Sequence, residues 1–222
     1  GIKSKSSMIK LLKIKKIKNQ FKLLIDANGL PVNFYSHNDN ESHLYNILAT
    51  LALVNFFTDI YKLSKNIFLN FKTPIGRGDI SKIKLKNKSF FLVDETYNSN
   101  PLSLKTAIEN YDKIKLKNSK KYLILGDMLE LGKHSIKQHK LISKIVNKTK
   151  INQVYVIGKY IKKTFTGLKQ NKKAKILNNK LAIFNLINRD LNNNDYLMIK
   201  GSNSTGLHKI TANLKKRTHH AL

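Results

Sequence analysis

The chain has 222 residues, of which 41% are hydrophobic, so it can bury a core, and no apolar run approaches the roughly 20 residues of a membrane helix. It has no cysteine, which excludes disulfides and thiolate metal sites, and its Lys-rich start lacks the apolar stretch of a secretory signal. The formal net charge is +29, but the basic residues are spread along the whole chain and are hardly ever Arg, so we interpret the charge as a solvated Lys surface without a dedicated nucleic-acid or membrane partner.

The first part of the chain predicts a small antiparallel ribbon. Apolar and polar residues alternate in 11–17 and in 21–25, which predicts two strands. The tight turn Ala27-Asn28-Gly29 then favours a return strand over 31–35.

Two helices are predicted next. Apolar residues recur at helical spacing from Ser42 to Phe57, with Ser42 as the N-cap. Asp59 is placed to cap a second helix that reaches Phe71.

After the break at 74–78, strands and helices alternate to the end of the chain. The predicted strands are 80–85, 89–93, 122–125, 154–157 and 196–199, and the predicted helices are 101–114, 135–149, 160–168, 181–191 and 204–214. Apolar strands between amphipathic helices are typical of a parallel sheet covered on both faces. We therefore predict a Rossmann-like, doubly wound α/β domain over 75–222, preceded by a separate domain portion over 1–74.

Three loops of this domain carry unusual polar residues. They are Asp94–Pro101 (DETYNSNP), Gly126–Gly132 (GDMLELG) and Lys200–Ser204 (KGSNS). Each follows a predicted strand, and ligands of doubly wound folds bind at the carboxyl ends of the strands. The three loops are expected to lie at one edge of the sheet.

The first loop offers carboxylates at Asp94 and Glu95, which suit ribose hydroxyls or a metal-bound nucleotide but are also common turn and capping residues. Capping explains one or two polar residues, whereas Tyr97, Asn98 and Asn100 add an aromatic ring and two amides to the same loop. That excess favours a binding role.

Two basic groups suit an anion. Arg77 lies between Gly76 and Gly78, which indicates either a phosphate contact or a hinge residue. Lys200 and Ser202 stand before a helix, where they fit either an anionic group or a helix cap.

The sequence contains no motif for a metal site or for cleavage of a nucleotide phosphate. His134 and His139 flank a helix start, but no further ligand stands at metal-binding spacing. The phosphate-binding pattern of Gly, four residues and Gly-Lys-Ser/Thr is absent throughout.

The order of these motifs resembles the C-terminal domain of the Mur ligase family. The matching segments are Gly76–Gly78, Asp94–Pro101, Leu125–Gly132 with His139, and Ile199–Ser202. The second and third are those of the family members that join D-alanyl-D-alanine to UDP-N-acetylmuramoyl-tripeptide. Upstream, Asn46 and the residues after it are similar to the segment in which an Asn contacts adenine, and the resemblance extends over residues 40–215.

The resemblance implies an enzyme with a precursor-binding domain, a central ATPase domain and a closing C-terminal domain. Residues 1–74 would be the tail of the second domain and 75–222 the third. ATP would phosphorylate the peptide carboxylate of the precursor, and the dipeptide amine would attack the acyl phosphate to give an amide, ADP and phosphate. The phosphate-binding loop and the Mg²⁺ ligands would belong to a part outside this sequence.

The resemblance also assigns roles by position, without naming a catalytic residue. The implied nucleotide-binding residues are Asn46, Arg77, Asp94, Glu95 and Tyr97, with either Asp94 or Glu95 on the ribose. The implied substrate-binding residues are Asn98, Asn100, Asp127, Glu130, Lys200 and Ser202.

A chain that begins at Gly1 and lacks the phosphate-binding loop is expected to be a fragment of a cytoplasmic, monomeric ligase, inactive alone. One alternative is a stand-alone remnant that binds a nucleotide or a partner without catalysis. Another is a basic nucleic-acid binder, whose DNA affinity would fall steeply with salt.

Overall fold

A computed structural model describes residues 1–2, 6–70, 74–85 and 87–219. The chain divides into two compact units, Gly1–Lys72 and Thr73–Leu222. Within the described residues, no helix is long and apolar enough to cross a membrane.

The first unit contains the predicted antiparallel ribbon. Its strands are β1 (Ile9–Ile17), β2 (Gln20–Ala27) and β3 (Leu30–Ser36), paired in the order β1-β2-β3. Asn28 and Gly29 supply the positive φ angles of the β2–β3 turn, 52° and 90°. The N–H of Gly29 donates to the Asp26 carboxylate at 2.7 Å, which fixes the turn.

Helix α1 (Glu41–Val54) covers the ribbon. Its buried side chains Leu44, Ile47, Leu48 and Leu51 share one core with Leu23, Ile25 and Phe34 of the strands. Each such side chain contributes about 1.5–3 kcal/mol by leaving water. The helix begins one residue before the predicted N-cap, so Ser42 lies inside it, and the side chain of Ser42 is outside the described part of the structure.

The second helix predicted after Asp59 is wrong over the described residues. Asp59 caps only one 3-10 turn, Ile60–Lys62, by accepting from the N–H of Tyr61 at 2.9 Å. Beyond this turn, the carbonyl of Lys65 accepts from the N–H of Tyr35 in β3 at 2.9 Å. That carbonyl therefore bonds to the sheet rather than to a helix, and the predicted helix end at Phe71 lies outside the described residues.

The second unit is the predicted doubly wound domain, with a mostly parallel sheet of six strands. They are β4 (Asp79–Leu85), β5 (Lys88–Glu95), β6 (Lys121–Gly126), β7 (Gln153–Ile157), β8 (Lys173–Ile176) and β9 (Tyr196–Lys200). The spatial order is β4-β5-β9-β6-β7-β8, and only β4 runs antiparallel to its neighbour. The last strand of the chain is thus inserted between β5 and β6.

Helices cover both faces of this sheet. They are α2 (Pro101–Lys113), α3 (Ser135–Val146), α4 (Lys162–Thr166), α5 (Leu181–Asp190) and α6 (Leu207–His219). Apolar side chains of α2, α3 and α4 share one core with one face, and those of α5 and α6 share a second core with the other. The predicted fold class is confirmed.

The differences from the predicted elements have local causes. Strand β8 was not predicted because it is a four-residue edge strand, whose Lys173 and Lys175 break the apolar pattern. Helix α6 begins at Leu207 instead of Ser204 because residues 203–205 form a 3-10 turn that ends at Gly206, where φ is 70°.

Candidate functional site

The insertion of β9 between β5 and β6 brings the three predicted loops together at one edge of the sheet. Ser202, after β9, donates through its hydroxyl to the carbonyl of Ser99 at 3.1 Å and accepts from the N–H of Leu129 at 2.9 Å. Its own N–H donates to the carbonyl of Asp127 at 3.0 Å. Ser202 therefore joins the loops after β5 and β6, and its hydroxyl is buried.

Lys200 and Glu95 form an ion pair beneath this edge. The two residues are register partners at the ends of β9 and β5. The Lys200 ammonium lies 3.3 Å from Glu95 Oε2 and 2.8 Å from the carbonyl of Asn98, and only 2% of its side chain is exposed. Burial lowers the pKa of Lys200 and raises the pKa of Glu95, while the opposite charge of each partner acts against these shifts.

Asp94 lies on the opposite face of β5 from Glu95, because successive side chains of a strand alternate. Its carboxylate accepts from Lys215 of α6 at 2.7 Å and from the hydroxyl of Thr96 at 2.6 Å. Burial raises the pKa of Asp94, but the hydrogen bonds from Lys215 and Thr96 hold it below its ordinary value. Asp94 and Glu95 are the last residues of β5 rather than loop residues, because pairing with β9 extends to Glu95.

Arg77 and Tyr97 form an exposed stack at the same edge. The guanidinium carbon of Arg77 lies 4.3 Å from the ring centroid of Tyr97, whose exposed fraction is 47%. Gly76 makes this approach possible, since its φ is 83° and a Cβ there would lie 2.8 Å from the backbone nitrogen of Tyr97. At Gly78 a Cβ would lie 3.0 Å from Glu95 Oε1. A basic group, an aromatic ring and a carboxylate therefore lie close to Gly76 and Gly78, which have no side chains.

The two amides of the first loop have local partners. Asn100 caps α2 by accepting from the N–H of Ser103 at 2.8 Å, and the Ser103 hydroxyl accepts from the N–H of Asn100. The side-chain oxygen of Asn98 accepts from the N–H of Ser99 at 2.7 Å. Capping thus accounts for Asn100, and its predicted substrate contact stays a prediction.

A cleft of about 260 Å³ adjoins this loop. Its lining residues are Ile75, Gly76, Asp94, Thr96, Tyr97, Asn203, His208, Thr211 and Ala212. The cleft lies between the end of β5 and the start of α6, on the face that carries Asp94.

Asp127, in the second loop, binds backbone. Its carboxylate accepts from the N–H groups of Lys159, Tyr160 and Ile161 at 2.9, 2.9 and 2.7 Å. Gly158 leaves room for it, because a Cβ there would lie 2.6 Å from the carboxylate. Asp127 thus fixes the connection between β7 and α4, while its predicted substrate contact stays a prediction.

His139 supports the same loop from inside. Its Nε2 accepts from the N–H of Met128 at 3.0 Å, so the ring proton resides on Nδ1, which donates to the carbonyl of Ser135 at 2.7 Å. Glu130, by contrast, is exposed. Among the described residues, no three His, Cys, Asp or Glu side chains form a group that could hold a metal ion.

Asn46 and the other predicted nucleotide-binding residues belong to different units of the chain. It is an exposed residue of α1 in the unit Gly1–Lys72, whereas Arg77, Asp94, Glu95 and Tyr97 belong to the unit Thr73–Leu222. The residue that sequence reasoning missed is Lys215, because a single Lys in a Lys-rich helix gives no signal of its partner in β5.

Residues 82–203 match the family described as Mur ligase, glutamate ligase domain, which is more than half of the chain. The chain therefore belongs to the Mur ligase family.

Two curated relatives within that family carry the same name. The chain is 31% identical over 175 residues to a UDP-N-acetylmuramoyl-tripeptide–D-alanyl-D-alanine ligase from Buchnera aphidicola, covering 78% of this chain and 36% of that protein. It is 26% identical over 165 residues to the ligase of the same name from Rickettsia prowazekii, covering 74% and 35%. The chain thus spans about a third of the length of these curated relatives.

Solved structures share the fold. MurF ligase from Thermotoga maritima, in complex with ADP, superposes with a TM-score of 0.68 at 20% identity and covers 98% of this chain and 48% of that one. MurF from Acinetobacter baumannii gives a TM-score of 0.74 at 18% identity, with coverage of 96% and 46%.

Proposed function

We propose that this chain is the C-terminal part of an ATP-dependent amide ligase that joins D-alanyl-D-alanine to UDP-N-acetylmuramoyl-tripeptide in the synthesis of peptidoglycan precursor. Family membership and the names of the relatives support this proposal. The observation that carries it is the exposed Arg77–Tyr97 stack beside Glu95, at the sheet edge where doubly wound folds bind ligands.

The nucleotide side of the site consists of Arg77, Glu95 and Tyr97. The exposed guanidinium of Arg77 suits phosphate oxygens, which it can contact through two N–H groups. Glu95 suits the ribose hydroxyls as an acceptor, because 21% of its side chain is exposed and its Oε1 lies beside Gly78, which has no side chain to cover it. We assign the ribose to Glu95 rather than Asp94, whose carboxylate is buried and bound by Lys215 and Thr96.

The substrate side is assigned to Glu130 and Asn98, which are exposed at the same edge. The carboxylate of Glu130 suits the ammonium of an incoming dipeptide. Contacts of Asp127 and Ser202 with substrate stay predictions, as does the adenine contact of Asn46.

Bound ATP supplies the phosphoryl group that activates the precursor carboxylate. Arg77 offsets negative charge on the phosphates, and Glu95 orients the nucleotide through its ribose. Positioning of this kind lowers the barrier because charged reactants are held in place before the reaction. Magnesium binding and the cytoplasmic location stay predictions from the resemblance.

The test is a ligation assay on the complete enzyme that contains this sequence. We expect phosphate release that requires both the UDP-linked tripeptide and D-alanyl-D-alanine, and a loss of at least about tenfold in kcat/KM for Arg77→Met. The matched control is Arg217→Met, since Arg217 also stacks on a ring, that of Phe184 in α5, at 4.9 Å.

Two results would contradict the proposal. Nucleotide binding without amide formation in the complete enzyme would favour a binding remnant. Amide formation by the 222 residues alone would show that the chain is sufficient for catalysis, against the expectation from its missing phosphate-binding loop.

A further inference from the structure

We propose that Lys200 is a positioning residue, which directs the carboxylate of Glu95 and fixes the backbone of the loop after β5 without contacting a ligand itself. The inference rests on the proposed function where it assigns the ribose to Glu95. It differs from the substrate contact that the sequence predicts for Lys200.

The contacts of the ammonium carry the inference. It lies within hydrogen-bonding distance of three acceptors, namely Glu95 Oε2 at 3.3 Å, the carbonyl of Glu95 at 3.4 Å and that of Asn98 at 2.8 Å. An ammonium has three hydrogens to donate, so these acceptors use its donors. With 2% of the side chain exposed, the ammonium offers almost no surface to a ligand.

The position of Lys200 at the end of β9 explains why its effect reaches the site. Lys200 lies opposite Glu95 in the parallel register, so both side chains point to the same face of the sheet. One carboxylate oxygen of Glu95 faces Lys200, and the other lies beside Gly78, next to Arg77. The ion pair therefore holds the second oxygen beside Gly78 and Arg77, where the proposed function locates the nucleotide.

Lys200 also favours the charged form of Glu95. Burial disfavours the carboxylate, and Asp94 and Asp79 disfavour it further, whereas Lys200 stabilises it. Arg77 is a further positive group near Lys200. Without Lys200, Glu95 would bind a proton at a higher pH than in the wild type and would become a poorer acceptor for ribose hydroxyls.

A substitution of Lys200 leaves the end of β9 anchored. Ser202 independently bonds to Ser99 and Leu129, so the neighbouring loops keep their connection. Methionine retains most of the length of the apolar stem and removes the charge. Lys200→Met is therefore the variant that isolates the effect on Glu95.

The first experiment is an NMR titration of the Glu95 carboxyl group in the 222-residue chain, which requires no nucleotide. We expect the pKa of Glu95 to rise in Lys200→Met relative to wild type. The reciprocal variant, Glu95→Gln, should lower the pKa of the Lys200 ammonium. If Lys200→Met does not fold, the Glu95→Gln measurement decides, and an unchanged Lys200 titration there overturns the proposal.

The second experiment measures ADP affinity of the complete enzyme as a function of pH. At a pH where Glu95 is protonated in Lys200→Met but ionised in the wild type, the variant should bind ADP about tenfold more weakly, and its affinity should recover as the pH rises and Glu95 ionises. In Glu95→Gln the affinity should be weak at every pH. A loss in Lys200→Met that does not vary with pH would indicate a merely structural residue and overturn the proposal.

The two experiments separate the two proposals. If the wild-type enzyme does not bind ADP, the proposed function fails, while the coupled titration of Glu95 and Lys200 still tests the ion pair. If ADP binds and Lys200→Met matches the wild type in affinity and in Glu95 titration, the positioning role is wrong and the proposed function stands.

Discussion

Lys215 of α6 places its ammonium 2.7 Å from the buried carboxylate of Asp94 at the end of β5. The same ammonium also bonds to Asp79 at the start of β4. This arrangement joins the last helix to two strands and gives Asp94 a structural partner. Of the two adjacent carboxylates, Asp94 is therefore the one bound by Lys215, and Glu95 is the one that we propose for the ribose.

Lys215→Met should destabilise the domain, because it leaves Asp94 buried without its cation. Removing one partner of a buried ion pair costs about 3 kcal/mol. The measurement is the free energy of unfolding in urea, with Lys216→Met, at the exposed neighbouring position, as control. Equal stability of the two variants would mean that water or another group replaces Lys215.

The Asp94 carboxylate should also make stability depend on pH in the acid range. Its folded pKa lies below the ordinary value of 3.8. A lowered folded pKa contributes stability that is present above the unfolded pKa and is lost as the pH falls through the folded pKa.

The difference in unfolding free energy between wild type and Asp94→Asn should therefore shrink as the pH falls from about 7 to below the ordinary Asp pKa. Asp39→Asn, at an exposed position of the other unit, is the control. A difference that stays constant with pH would contradict the shifted pKa of Asp94.

Gly76→Ala should disturb the Arg77–Tyr97 stack. The added Cβ would lie 2.8 Å from the backbone nitrogen of Tyr97. In addition, the φ of 83° at this position is unfavourable for alanine. Gly29→Ala is a matched control, because φ there is 90° but no atom lies within 4 Å of the added Cβ.

Both variants should lose about 1 kcal/mol from the backbone angle alone. Gly76→Ala should lose more in a thermal or urea unfolding measurement, and should also weaken ADP binding in the complete enzyme. Identical losses in the two variants would indicate that the loop moves aside without cost.

Tyr97→Leu should weaken ADP binding by releasing Arg77 from its aromatic support. A cation–π contact at an exposed site contributes about 0.5–1 kcal/mol, which corresponds to a decrease in affinity of several-fold. Tyr97→Phe retains the ring and should bind nearly as well as wild type. If Phe and Leu at this position lower the affinity equally, the phenol hydroxyl rather than the stack is responsible.

The sequence predicted those features of the site that depend on neighbouring residues, and it did not predict those that depend on residues far apart in the chain. Apolar periodicity is local, so it predicted the ribbon, α1 and most strands and helices of the second unit. It predicted that three loops meet at one edge, but the insertion of β9 beside β5 is a long-range feature. The choice between Asp94 and Glu95 depends on Lys215 and Lys200, which lie 121 and 105 residues away from their partners.

Long-range contacts also separate two residues of the second loop, Asp127 and Glu130, which the sequence predicted to bind substrate together. Asp127→Asn should lower the free energy of unfolding by about 2 kcal/mol or more, because an amide has one acceptor oxygen for the three N–H groups of Lys159, Tyr160 and Ile161. Glu130→Gln changes an exposed side chain and should leave stability within about 0.5 kcal/mol.

In the ligation assay on the complete enzyme, Glu130→Gln should have the larger effect of the two variants. Glu130→Gln should raise the KM for D-alanyl-D-alanine, because it removes the charge proposed to face the dipeptide ammonium. Asp127→Asn should leave that KM close to wild type at a temperature where the variant remains folded. A raised KM for Asp127→Asn together with unchanged stability would instead mean that Asp127 exchanges its backbone contacts for the substrate when the dipeptide binds.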